Sequence, residues 1–116
     1  MHCEITPNTA PLPEDQRIEA FKSLGLGTLL TDHMAVVRWT EGQGWHSAQI
    51  TARAPFALDP AASVLHYAQE IFEGLKAYRQ ADGGIALFRP EANARRFNES
   101  AERLAMPALP EALFLE

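Results

Sequence analysis

"TDHMAVVRWTEGQGWHSAQITAR", residues 31 to 53, carries the strongest fold signal in the sequence. Two β-prone runs flank the tetrapeptide EGQG, and a glycine-containing turn between such runs predicts a β-hairpin. Met34, Val36 and Val37 support the first strand. Trp39 and Trp45 stand on either side of the turn, and their expected role is packing across the strands or in the core.

Working outward toward the start, residues 1 to 16 carry Pro7, Pro11 and Pro13 and read as an extended arm. Residues 17 to 24, RIEAFKSL, suit a short helical turn ended by Gly25 and Gly27. On the other side, APFALDPAAS reads as a loop. GLKAYRQ and GIALFR then surround ADGG, a second hairpin signal. An extended reading there puts Lys76 and Tyr78 on one face of a strand, with Leu75 and Ala77 on the other. HYAQEIFE, just before it, is compatible with a helical turn or an extended approach.

The clearest helix begins at RPEANARRFNESAERLAM. Pro90 suits its first turn and Glu91 complements its positive end. Asn93, Phe97, Ser100, Ala101 and Leu104 recur at three- and four-residue spacing, which predicts one buried face. Pro107 stops the helix. Pro110 opens PEALFLE, an apolar helical start without a cap or polar tail at Glu116, so the sequence reads as cut rather than finished. These elements together predict an α+β fold, with an arm over 1–16 and one incomplete domain over 17–116.

Composition narrows the function. A net charge of −5 argues against a nucleic-acid partner, because phosphate binding needs a positive field, although a local basic spot still suffices for a small anion. The single cysteine, Cys3, excludes an internal disulfide framework. The first residues lack the apolar run of a signal peptide, and no stretch approaches the roughly 20 apolar residues of a membrane span. A soluble, cytoplasmic protein with no membrane partner is the expectation. Histidines at 2, 33, 46 and 66 have no ligand-like spacing, so no metal site is predicted.

The segment LHYAQEIFEGLKAYRQADGG, residues 65 to 84, mixes aromatics with charge in a way that neither a plain surface nor a plain core requires. NARRF raises a related question. On a helical wheel Arg95 points away from Phe97, toward solvent, while Arg96 lies on the flank of the apolar stripe. An arginine there either bridges to Glu99 or Glu102 or meets an anion, for which its planar fork is well suited.

In this order and at this spacing, LGTLLTDHMAVVRW, GWH, VLHYAQEIFEGLKAYR and DGGIALFRPEANARRFNESAERLAMPALP resemble the branched-chain amino-acid aminotransferases, fold-type IV enzymes that use pyridoxal 5'-phosphate. The resemblance runs from Leu26 to the last residue. Family chains are considerably longer, so it covers only the N-terminal, smaller domain. It implies exchange of an amino group between leucine, isoleucine or valine and 2-oxoglutarate, in a ping-pong reaction catalysed by a homodimer. It also implies that the Schiff-base lysine lies in the larger domain beyond residue 116, so that neither Lys76 nor Lys22 is catalytic and this chain alone is inactive. Lys76 is left a structural role, with Glu73 as its acidic neighbour.

Residue by residue, the resemblance assigns Arg96 to the cofactor phosphate, and Tyr67 and Phe72 to the apolar pocket for the branched side chain. Leu26 departs from the family pattern, standing where many relatives carry an aromatic just before GT, and points to a bulkier substrate on that side. Two rival readings are a different fold-type IV enzyme, such as a D-amino-acid aminotransferase or aminodeoxychorismate lyase, and a non-catalytic domain binding a small anion or a partner. FEGLKAY and TDHM argue against the first, and the open PEALFLE end against the second.

Overall fold

The computed structural model describes residues 2–116. The chain divides into two compact units on either side of the Phe56–Ala57 bond.

The first unit is built on the expected hairpin. Strands β2 (His33–Thr40) and β3 (Gly44–Ala52) pair antiparallel, with Trp39 directly opposite Trp45. The turn needs left-handed backbone at Gly42 (φ 81°) and Gly44 (φ 76°), which glycine adopts without a Cβ clash. Between Val36 and Arg38 the register shifts: Ser47 and Ala48 together oppose Val37, with Ser47 at φ 52°. This is a β-bulge with a non-glycine residue in the left-handed position.

The arm is more structured than its prolines predict. Glu4–Ile5 forms a short strand, β1, parallel to β3 and opposite Gln49 and Ile50. Asn8 then ties the arm to the start of the hairpin. Its backbone N–H donates to His33 Nε2 at 2.8 Å, and its amide nitrogen donates to the Asp32 carbonyl at 3.2 Å. Helix α1 spans Glu14–Phe21, three residues ahead of the expected 17–24 turn. Pro13 presets the entry, and Glu14 and Asp15 sit against the positive end of the helix, which explains the earlier start.

In the second unit, a short helix α2 (Ser63–Tyr67) ends at Ala68, whose φ of 48° is left-handed. The open question over HYAQEIFE is thereby answered in two parts: helix through Tyr67, irregular chain from Ala68 onward. Strands β4 (Ala77–Arg79) and β5 (Ile85–Leu87) form the second hairpin. The strand is shorter than expected. Lys76 and Leu75 precede it, so the two-faced alternation predicted across 75–78 holds only for Ala77 and Tyr78.

Helix α3 covers Pro90–Arg103, with Pro90 in its first turn as predicted. Its buried stripe centres on Ala94 and Ala101, with Asn93, Phe97, Asn98 and Ser100 half-buried and Leu104 exposed. The helix closes before Pro107 in a Schellman arrangement. Met106 N–H donates to the Ala101 carbonyl and Ala105 N–H to that of Glu102, with Ala105 at φ 52°. Helix α4 (Glu111–Leu115) follows, and Phe114 meets Phe97 at a ring separation of 5.5 Å. Asn98 closes the connection from both sides: its Nδ2 donates to the Leu109 carbonyl and its Oδ1 accepts from the Leu109 N–H, each at 2.8 Å.

Only small apolar side chains are fully covered among the described residues: Ala48, Ala94 and Ala101. Large ones such as Leu26, Tyr67, Phe72 and Phe88 remain exposed.

Candidate functional site

Asn93 and Arg96 are three apart on α3 and so project from one face of the helix. Both reach Glu73, in the irregular chain before β4. Arg96 donates Nε–H to Glu73 Oε2 at 2.7 Å and an Nη2–H to Oε1, a two-pronged guanidinium–carboxylate pair. Asn93 Nδ2 donates to Glu73 Oε1 at 2.9 Å and to the Gly74 carbonyl at 2.8 Å. The Gly74 N–H completes the set by donating to Oε1 at 2.9 Å. Four donors thus converge on one carboxylate.

The electrostatic consequence is direct. Hydrogen bonds from Arg96 and Asn93, in that order of weight, hold the Glu73 carboxyl down to about 2. Glu73 in turn strengthens the cationic form of Arg96. The pair is asymmetric in exposure. The Glu73 side chain is only 5% exposed, whereas that of Arg96 is 65% exposed. The carboxylate is therefore an internal anchor, and the guanidinium turns its remaining edge to the surface.

That surface is a shallow depression of about 150 Å³ lined by Phe88, Arg89, Ala92, Asn93 and Arg96. Arg89 precedes α3 in left-handed backbone (φ 46°), with its guanidinium 4.8 Å from the centre of the Phe88 ring. Arg95 opens elsewhere, beside Asn98, Glu99, Glu102 and Glu111. The two neighbouring arginines therefore face different chemistry, as the helical wheel predicts. The intrahelical alternative for Arg96 is not the one adopted: its hydrogen-bonding carboxylate is Glu73, and Glu99 acts on it only through space.

Phe72 and Tyr67 are both strongly exposed, at 85% and 83%. The Phe72 ring edge lies beside Gly74: a Cβ there would be 3.8 Å from its Cε1. Tyr67 packs edge-on against His66, whose Nε2 lies 2.6 Å from the Pro60 carbonyl. Leu26, almost wholly exposed, belongs to the first unit, and the other named residues to the second. Glu73, expected as the acidic neighbour of Lys76, has both oxygens engaged by Arg96, Asn93 and the Gly74 amide. The sequence reading passed over Glu73 as an anchor and Asn93 as its second holder. Their signal was an acid inside an aromatic segment and an asparagine one turn before Arg96.

Among the described residues no cluster of histidine, cysteine or acidic side chains could hold a metal ion, and no helix is long and apolar enough to cross a membrane.

No family model matches the chain. Individual relatives do. It is 53% identical over 113 residues to a probable branched-chain-amino-acid aminotransferase of Streptomyces coelicolor, covering 97% of this chain and 31% of the relative. Against the branched-chain-amino-acid aminotransferase of Mycolicibacterium smegmatis it is 53% identical over 112 residues, 97% of this chain and 30% of that protein. The branched-chain-amino-acid transaminase 1 of Bacillus subtilis is 54% identical over 94 residues, 81% of this chain and 26% of its own length. At this identity the chain is similar to a segment of the branched-chain-amino-acid aminotransferases. This segment spans about a third of the length of the relatives it matches, and its antiparallel hairpins and helices agree with the α+β expectation.

Proposed function

We propose that the chain is the N-terminal, small-domain portion of a pyridoxal 5'-phosphate-dependent branched-chain aminotransferase. The full-length enzyme would exchange an amino group between leucine, isoleucine or valine and 2-oxoglutarate, as a cytoplasmic homodimer. The observation that carries this reading is the likeness to three aminotransferases at 53–54% identity, joined to the arginine that the clamp holds at the surface.

The residues present fit a phosphate. Of the five N–H donors of a guanidinium, Glu73 takes two from Arg96. The others remain on an exposed, permanently charged fork, the geometry that binds phosphate oxygens well. The cofactor, when bound, supplies an electron sink for chemistry at the amino-acid α-carbon. The part of this chain is to bind and orient. Arg96 holds the phosphate, while Tyr67 and Phe72 form apolar walls that favour a branched side chain by about 0.8 kcal/mol for each methylene they cover. The lysine that carries the cofactor belongs to the remaining two-thirds of the enzyme, so this chain by itself performs no transamination.

The test is a pair of variants in the full-length enzyme. Arg96→Ala should weaken retention of pyridoxal 5'-phosphate markedly, and Arg95→Ala should do little, as read by absorbance titration. Equal losses in the two variants would overturn the assignment.

A further inference from the structure

Glu73 does more than neutralise a cation. It is nearly covered, it receives four hydrogen bonds, and two of them come from adjacent donors on one edge of Arg96. A long side chain that is mostly solvent-exposed would otherwise sample many rotamers. Two parallel hydrogen bonds to a fixed acceptor select one of them and fix the plane of the guanidinium. Asn93 and the Gly74 amide fix the acceptor in turn.

We propose that Glu73 is the positioning residue for Arg96: it occupies the Nε and one Nη2 hydrogen, leaving the Nη1 end of the fork as the one offered to a phosphate. This rests on the reading of Arg96 as the phosphate ligand. Two effects of the carboxylate compete. Its charge opposes a second anion nearby, while its geometry saves the phosphate the cost of ordering the arginine. The geometric effect prevails, because the charge of Glu73 is already met by four donors on its own side of the fork. Preorganisation, by contrast, acts in full on a side chain that is 65% exposed.

Glutamine at 73 keeps the size but turns an NH₂ group toward the N–H donors, so at most one of the two bonds to Arg96 survives. In the full-length enzyme, dissociation constants should be measured by absorbance titration for both pyridoxal 5'-phosphate and pyridoxal, which lacks the phosphate. Glu73→Gln should weaken the phosphorylated ligand roughly tenfold, the scale seen when a supporting partner is removed from a ligating group, and leave pyridoxal unchanged. Asn93→Ala, which frees the carboxylate on one side only, should weaken the phosphorylated ligand less and with the same selectivity; it also serves where the glutamine variant fails to fold. The double variant Glu73→Gln/Arg96→Ala should bind no more weakly than Arg96→Ala alone, because Glu73 acts through the arginine. Unchanged or tighter binding in Glu73→Gln, equal losses for both ligands, or additive losses in the double variant would each overturn the proposal. If Arg96→Ala itself leaves the phosphorylated ligand unaffected, the phosphate assignment fails instead, and the two failures are told apart by that one variant.

Discussion

The two units of this chain are held by different means. In the first, the β2–β3 ladder uses backbone groups, glycines at the turn and facing tryptophans, and the long-range side-chain tie at Asn8 fastens the arm and not the hairpin itself. In the second, individual side chains reach across long stretches of sequence: Glu73 to Arg96 and Asn93, Asn98 to Leu109, and Gln69 Nε2 to the Leu104 carbonyl at 2.8 Å. A ladder spreads its stabilisation over many interchangeable bonds, so one substitution removes little of it. A side-chain clamp concentrates it, and losing one partner strands the other. The second unit should therefore be the more fragile to single changes.

The sharpest way to break that contrast is Asn98→Ala. It strands both the N–H and the C=O of Leu109 in a half-buried setting, so the second unit should lose about 2 kcal/mol. Thermal melting with amide exchange at Leu109 would read the loss, while exchange along β2–β3 stays as before. A loss below about 0.5 kcal/mol, the range of ordinary surface substitutions, would mean the turn is held by something else.

Next in size is a gain. Ala105 occupies the left-handed position of the α3 cap, where glycine is usual, so Ala105→Gly should stabilise the second unit by about 1 kcal/mol. Ser47→Gly is the matching change in the first unit. It relieves the same backbone strain but gives up the Ser47 hydroxyl, 2.9 Å from His46 Nδ1, so its gain should be only about 0.5 kcal/mol. Denaturant midpoints would rank the two, and a loss in either would remove the strain argument at that site.

The smallest effect in energy is the acid response, because Arg96 is largely exposed and its pair is screened by solvent. Glu73 has a folded value of about 2 against an ordinary 4.5. The depressed group binds its proton less readily when folded, so its stabilising contribution is fully present above pH 4.5 and is lost as the pH falls through about 2. Following the Glu73 side-chain carboxyl carbon by NMR should give a midpoint near 2. A midpoint near 4.5 would show that the clamp is open in solution.

The same contrast explains what could be read from the sequence. Both hairpins, the helix at Pro90 and the start at Pro110 were legible because their signals are local: strand runs around glycines, and prolines at helix starts. The separate directions of Arg95 and Arg96 followed from helical geometry alone. The position of Glu73 was not legible, since nothing in a one-dimensional pattern brings residue 73 to residue 96. Strand β1 escaped for a similar reason, as two residues beside three prolines carry no period. Leu75 and Lys76 were misplaced because the strand was extended two residues too far toward Gly74.

Strand β1 has a consequence for the order of assembly. The β2–β3 hairpin closes a loop of a few residues, an event of roughly microseconds. Strand β1 must instead bring residue 4 alongside residue 49, for only two pairs of partners and one further bond from Thr6 N–H to the Ile50 carbonyl. The entropy of closing a long loop is set against very little ladder. The arm therefore docks last, onto a β3 that is already formed, and its amides open by local fraying well before the hairpin unfolds.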